Sequence, residues 1–181
     1  MESNLCLIGM PGAGKSTLGV ILAKILTYDF LDTDLLLQKS AQKSLAEILA
    51  AKGNDGFLEM ENRLVSSLTA SHTVISTGGS VIYGKEAMAH LHTLGTVIYL
   101  EVPFPEISRR IADFHARGIA MGKAADLSAL YAERHPLYLA QADLVIPVAA
   151  GMRAEQTVAS ILTALQKQKD PLQTHHSLSA N

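Results

Sequence analysis

Gly9-Met10-Pro11-Gly12-Ala13-Gly14-Lys15-Ser16-Thr17 fits the pattern G-x-x-x-x-G-K-[ST], with Gly9, Gly14, Lys15 and Ser16 in the four required places. Before it stands Leu5-Cys6-Leu7-Ile8, a short apolar run of the kind that forms a buried strand. After it, apolar residues at 18, 21, 22, 25 and 26 keep helical spacing. Strand, glycine loop and helix are the setting this motif needs. Gly12 and Gly14 leave room for backbone N–H groups to turn inward around an anion, and the helix N-terminus adds its partial positive charge. Lys15 reaches outer phosphates, and the Ser16 hydroxyl is placed to ligate Mg²⁺. The stretch therefore implies a nucleoside triphosphate site.

The rest of the chain is expected to build a domain around that site. Its 181 residues suit one domain, and with 48% apolar and 18% charged residues a packed core is expected. A net charge of −2 argues against a nucleic-acid binder held by a broad basic face. The single cysteine, Cys6, lies inside the first predicted strand and reads as a small core residue in a reducing compartment. No apolar run approaches membrane-spanning length and the N-terminus lacks a basic leader, so a cytoplasmic protein with no membrane partner is expected, monomeric or weakly dimeric.

Further strands are predicted at 28–32, 73–76, 96–100 and 144–146. Helical patterns lie between them. Ser44-Leu45-Ala46-Glu47 is a capping box that opens one helix, and Gly53-Asn54-Asp55-Gly56 is predicted to break it before a restart at Phe57. Other helices are expected over about 85–94, from Pro105 at the first helical position through Phe114, over 126–141 and over 154–165. The stretch 114–125 reads as a loop or small lid, and 166–181 as a loose tail. Alternating strands and helices predict an α/β fold, a three-layer α/β/α domain over residues 1–165 with a five-stranded parallel sheet. In such sheets ligands gather at the carboxyl ends of strands, and the chemistry-bearing residues fall there.

Asp32-Thr33-Asp34 ends the second strand with two carboxylates. They suit Mg²⁺ binding beside phosphate oxygens, or orientation of an acceptor hydroxyl whose proton is taken during phosphoryl transfer. The same triplet also fits an Asx-type turn with Asp34 capping the next helix. Gly78-Gly79, after the third strand, permits close approach of a substrate or simply a turn. Arg110 and Arg117 bracket the lid, and Arg134 stands in Glu133-Arg134-His135-Pro136-Leu137-Tyr138. An arginine on a mobile loop is able to stabilise transferring charge. None of the seven histidines shows metal-ligand spacing.

Together these residues resemble the shikimate kinase family of P-loop phosphotransferases. The resemblance runs from about Leu5 to Leu165 and rests on the loop at 9–17, Asp-Thr-Asp at 32–34, Ser-Leu-Ala-Glu-Ile at 44–48, Gly56-Phe57 with Glu61, Ser-Thr-Gly-Gly at 76–79, Arg110, Arg117 and the run at 133–138. It implies a lid at about 114–125, a small helical acceptor-binding segment at about 33–62, and transfer of the ATP γ-phosphoryl group to a hydroxyl of a small carboxylate, shikimate. By that resemblance Gly12, Ala13, Gly14, Lys15, Ser16 and Thr17 hold the phosphates, Ser16 and Asp32 serve Mg²⁺, and Arg110 lies against adenine. Asp34 orients the hydroxyl, Arg117 closes from the lid, Arg134 grips the carboxylate, and Glu61, Gly78 and Gly79 belong to the acceptor side.

Three motifs depart from the family pattern. Phe-Arg-x-x-Glu reads Phe57-Leu58-Glu59-Met60-Glu61, a third pocket glycine is Ser80, and Arg-Pro-Leu in the lid is Arg117-Gly118-Ile119. The missing arginine is a second clamp on the acceptor carboxylate. A charge-assisted bond contributes roughly 1.5–3 kcal/mol, so its loss predicts about tenfold to a hundredfold weaker acceptor binding unless another group substitutes. Two alternatives remain beside the shikimate reading. One is a re-tuned kinase for another hydroxylated acid such as homoserine, motivated by Leu58, Glu59 and Ser80. The other is a nucleotide-binding regulator that no longer catalyses.

Overall fold

The computed structural model describes residues 4–111 and 118–169. Each of the five apolar runs forms a strand: β1 (Asn4–Ile8), β2 (Asp29–Asp32), β3 (Thr73–Ser76), β4 (Gly95–Glu101) and β5 (Leu144–Pro147). They make one sheet in the order β2-β3-β1-β4-β5, each neighbouring pair parallel. The described helices are α1 (Lys15–Leu26), α2 (Thr33–Ala41), α3 (Leu45–Ser66), α4 (Lys85–Leu94), α5 (Phe104–Arg110), α6 (Leu127–Gln141) and α7 (Ala154–Lys169).

Consecutive strand residues point to opposite faces, and β1 shows how both faces are covered. The Cys6 Sγ lies 3.8 Å from the Leu91 carbonyl on α4. On the other face α1 comes close at Gly19, where a Cβ would lie 2.6 Å from Phe30 and 3.5 Å from Leu7. All residues of β1 and β3 are accordingly buried, the polar Asn4, Thr73 and Ser76 at their ends included. Burial pushes the Cys6 thiol up to about 12, so it acts as a small core residue. After β3 the chain crosses over β1 to reach β4, which makes the carboxyl end of β1 the point where strand order reverses. Crevices for ligands open at such points.

Local signals were read closely but not perfectly. Ser44 and Glu47 form the capping box as expected: the Glu47 N–H donates to Ser44 Oγ at 3.3 Å, and the Ser44 N–H donates to Glu47 Oε2 at 2.8 Å. The expected four-residue break at Gly53–Gly56 is narrower, because Gly53 alone leaves helical geometry, at φ 67° and ψ 179°. Glycine takes that backbone without a Cβ penalty, so one residue absorbs the whole kink and the helix resumes at once. Pro105 is the second helical residue of α5, not the first, and α5 ends at Arg110. Phe114, expected on its apolar face, lies outside the described residues. Val81-Ile82-Tyr83 forms an unforeseen 3₁₀ turn. The last helix continues to Lys169, past residue 165.

Two apolar cores result. The larger spans both faces of the sheet. The smaller is built on Leu37 of α2, Ile48 and Phe57 of α3, and Ala120, with Leu58 packed partly buried against it.

Candidate active site

The glycine loop leaves β1 and turns directly into α1. Gly14, the residue before the helix, has φ 95°, and Gly12 has φ 78° with Ile111 so close that a Cβ would lie 2.9 Å from it. Both positions therefore demand glycine. Lys15 is buried, and its Nζ donates to the Gly9 and Met10 carbonyls at 2.8 and 3.0 Å. Burial lowers its pKa to about 8, against the opposing pull of the Asp34 and Asp32 carboxylates. Held in that way, the ammonium is fixed against the backbone of its own loop, on the cavity wall.

Asp32 ends β2 and does two jobs. Its Oδ1 accepts from the N–H groups of Asp34 and Leu35, capping α2, while its Oδ2 accepts from Ser16 Oγ at 2.6 Å. The cap of that helix is thus Asp32 and not Asp34. Asp34 is left with its carboxylate on the cavity wall, half-buried, its pKa raised by burial, with Lys15 pulling it back down.

A cavity of about 650 Å³ joins these groups to the acceptor side. Its walls include Lys15, Ser16, Asp34, Gly78, Gly79 and Arg134. Arg134, on α6, is 1% exposed, and its guanidinium donates to the Ala120 carbonyl and to the Tyr83 hydroxyl at 3.4 Å. It also stacks 5.3 Å above the centre of the Tyr83 ring. These partners are neutral, so a buried positive charge borders the cavity, an arrangement that favours an anionic ligand. Arg110 donates to Glu106 Oε1 at 2.7 Å and reaches the Gly12 and Ala13 carbonyls at 3.3 and 3.4 Å. Beside it a second cavity of about 250 Å³ opens between the glycine loop, Val148, Met152 and Thr157.

Most of the sequence-read residues meet here, with some sorting. Gly12, Gly14, Lys15, Ser16, Thr17, Asp34, Gly78, Gly79, Arg110 and Arg134 border the larger cavity, and Ala13 borders the smaller. Asp32 stands one bond back, behind Ser16. Glu61 also stands back: it is 3% exposed and lies behind Gly78, where a Cβ would strike both its Oε1 and Asp34 Oδ1. Arg117 lies outside the described residues. Glu59, which with Leu58 and Ser80 motivated the homoserine alternative, is exposed and paired with Arg63. Leu58 packs on the smaller core and not on the cavity. Sequence reasoning missed Gln38 and Ala120 on the wall and the bond from Tyr138 to the Gly79 carbonyl. Only Tyr138 carried a signal, as the last residue of the run at 133–138.

A parallel sheet with a phosphate loop at its reversal point, facing a carboxylate and a buried arginine, defines a P-loop phosphotransferase. A family model described as shikimate kinase matches residues 11–166. The shikimate kinase of Nostoc punctiforme is 36% identical over 175 residues, covering 95% of this chain and 96% of that protein. Shikimate kinase 2 of Yersinia enterocolitica is 34% identical, covering 93% of this chain and 99% of that one. Among solved structures, shikimate kinase from Acinetobacter baumannii in complex with shikimate superposes with a TM-score of 0.80 at 28% identity, covering 92% of this chain and 94% of that chain. A deoxyadenosine kinase from M. mycoides, at 17% identity and a TM-score of 0.59, shares the fold. The chain belongs to the shikimate kinase family, ATP-dependent phosphotransferases with an alcohol group as acceptor.

Proposed function

We propose that this chain transfers the γ-phosphoryl group of ATP to a hydroxyl of shikimate, giving shikimate 3-phosphate and ADP. The observation that carries the reading is one cavity lined together by the glycine loop, Asp34 and buried Arg134. Arg134 receives the acceptor carboxylate. That bond fixes which hydroxyl faces the phosphate loop, and orientation of this kind supplies much of the rate. Asp34 accepts the hydroxyl proton as the oxygen bonds to phosphorus and the bond to the ADP oxygen breaks. Its raised pKa suits that task. Lys15 and the loop N–H groups hold the charge that builds on the phosphate oxygens.

Ser16 and Asp32 fit Mg²⁺: two hard oxygen donors 2.6 Å apart at the start of the helix that carries the phosphate site. The ion, when bound with ATP, neutralises phosphate charge. Arg110 and the 250 Å³ cavity take the adenine. Arg117 is assigned to lid closure over the phosphates, and the acceptor segment to about 33–62. On this reading the protein works in the cytoplasm, where ATP is available. Among the described residues no helix is long and apolar enough to cross a membrane.

A coupled ADP-release assay across hydroxylated acids, homoserine included, tests the acceptor. Efficient turnover of shikimate alone is expected, and preference for another acid would overturn it. In the same assay Asp34→Asn should lower kcat by about 10²–10⁴-fold. ATP affinity, measured by equilibrium titration, should stay within about twofold; lost affinity would place Asp34 on the nucleotide instead.

A further inference from the structure

The segment after β3, Thr77-Gly78-Gly79-Ser80, walls the acceptor end of the cavity and is tied at each residue to a different element. Thr77 Oγ1 donates to the Leu7 carbonyl of β1 at 2.9 Å. The Gly78 N–H donates to Thr33 Oγ1 of α2 at 3.1 Å. The Gly79 carbonyl accepts from Tyr138 of α6. Ser80 Oγ donates to Glu61 Oε2 of α3 at 2.6 Å.

The last tie differs from the others in reaching a buried carboxylate. Glu61 is 3% exposed and Ser80 5% exposed. No salt bridge holds Glu61 among the described residues. The other Glu61 oxygen and Asp34 Oδ1 both lie where a side chain at Gly78 would begin, so that a Cβ there would strike both. Burial pushes Glu61 up to about 7, and the Ser80 bond pulls it back toward the charged form. A buried carboxylate deprived of its donor pays for it by turning or by taking up a proton.

We propose that Ser80 is a positioning residue for the phosphoryl acceptor: through Glu61 it clamps the Gly78-Gly79 wall to α3 and sets that wall against Asp34. The clamp rests on the function proposed above. It gives Ser80, on the wall, and Glu61, behind it, a joint role in which neither touches the acceptor's carboxylate. Position 80 then matters for how the acceptor hydroxyl is presented, and not for how the nucleotide is held.

A double-mutant cycle tests this. Ser80→Ala should lower kcat/KM for the acceptor about tenfold to a hundredfold, the effect of one lost hydrogen bond to a charged group. The KM for ATP should move less than about twofold, whereas a general loss of packing would move both. Glu61→Ala should do at least as much harm, and Ser80→Ala/Glu61→Ala no more than Glu61→Ala alone, because the two act through one bond. Unchanged acceptor kinetics in Ser80→Ala, equal shifts in both KM values, or single losses that multiply in the double variant would each overturn the clamp. The cycle is run with whichever acid the wild-type chain phosphorylates best. A wild-type chain inert towards shikimate but active on another acid then sinks the functional reading while the clamp is still measured, and a chain that phosphorylates none overturns both.

Discussion

Glu61 illustrates how much a single side chain couples site to stability. Its carboxyl is raised from 4.5 to about 7, chiefly by burial. Below about pH 4.5 the group is protonated whether the chain is folded or not, and it costs nothing. Between 4.5 and 7 the unfolded chain releases that proton while the folded chain keeps it, so stability falls as pH rises, by on the order of 3 kcal/mol in all. Above 7 the loss is complete and the curve is level. Glu61→Gln removes this titration. Its urea midpoint, measured without nucleotide, should decline less between about pH 5 and pH 8 than that of the wild-type chain. Parallel declines in the two proteins would show that Glu61 is not the source. At this scale the sequence was least legible. Glu59 and Glu61 are two residues apart, yet one is exposed and paired with Arg63 while the other is buried behind Gly78. Composition and spacing do not distinguish them; only the partner elements do.

Elements were easier to read, because their signals are local. The five apolar runs needed no partner to be recognised, and Ser44 with Glu47 announced the start of α3 through the chemistry of its own backbone. That cap is exposed, so its contribution is separable from packing. Ser44→Ala should cost about 1 kcal/mol in unfolding free energy. A loss below a few tenths in chemical denaturation would mean that tertiary contacts alone hold the start of the helix. What the local code hid were cases where two signals share a residue. Asp32 serves as both helix cap and Ser16 partner, whereas the triplet alone suggested Asp34 as the cap. Gly53 absorbs a kink that the run Gly-Asn-Asp-Gly spread over four residues. The 3₁₀ turn at Val81–Tyr83 has an apolar run too short for its period to mean anything.

For the molecule as a whole, the class of fold followed from alternation of strands and helices, but the strand order did not. Nothing in the chain before folding says that β3 lies between β1 and β2; the crossover that places it there is a long-range choice made by burial on both faces. The division into two cores was equally invisible, since Leu37, Ile48, Phe57 and Ala120 look like any other apolar residues along the chain. That division has a kinetic meaning. Among the described residues four buried side chains lie at the centre of the smaller core, against a sheet-wide cluster in the larger. Regions opening by themselves are those with little buried apolar contact. Amide hydrogens of α2 and the first half of α3 should therefore exchange with solvent deuterium well before those of β1 and β3, and a single exchange rate across both would refute this. A core that small can loosen locally while the sheet beneath it stays closed, so opening beside the cavity need not cost the whole fold.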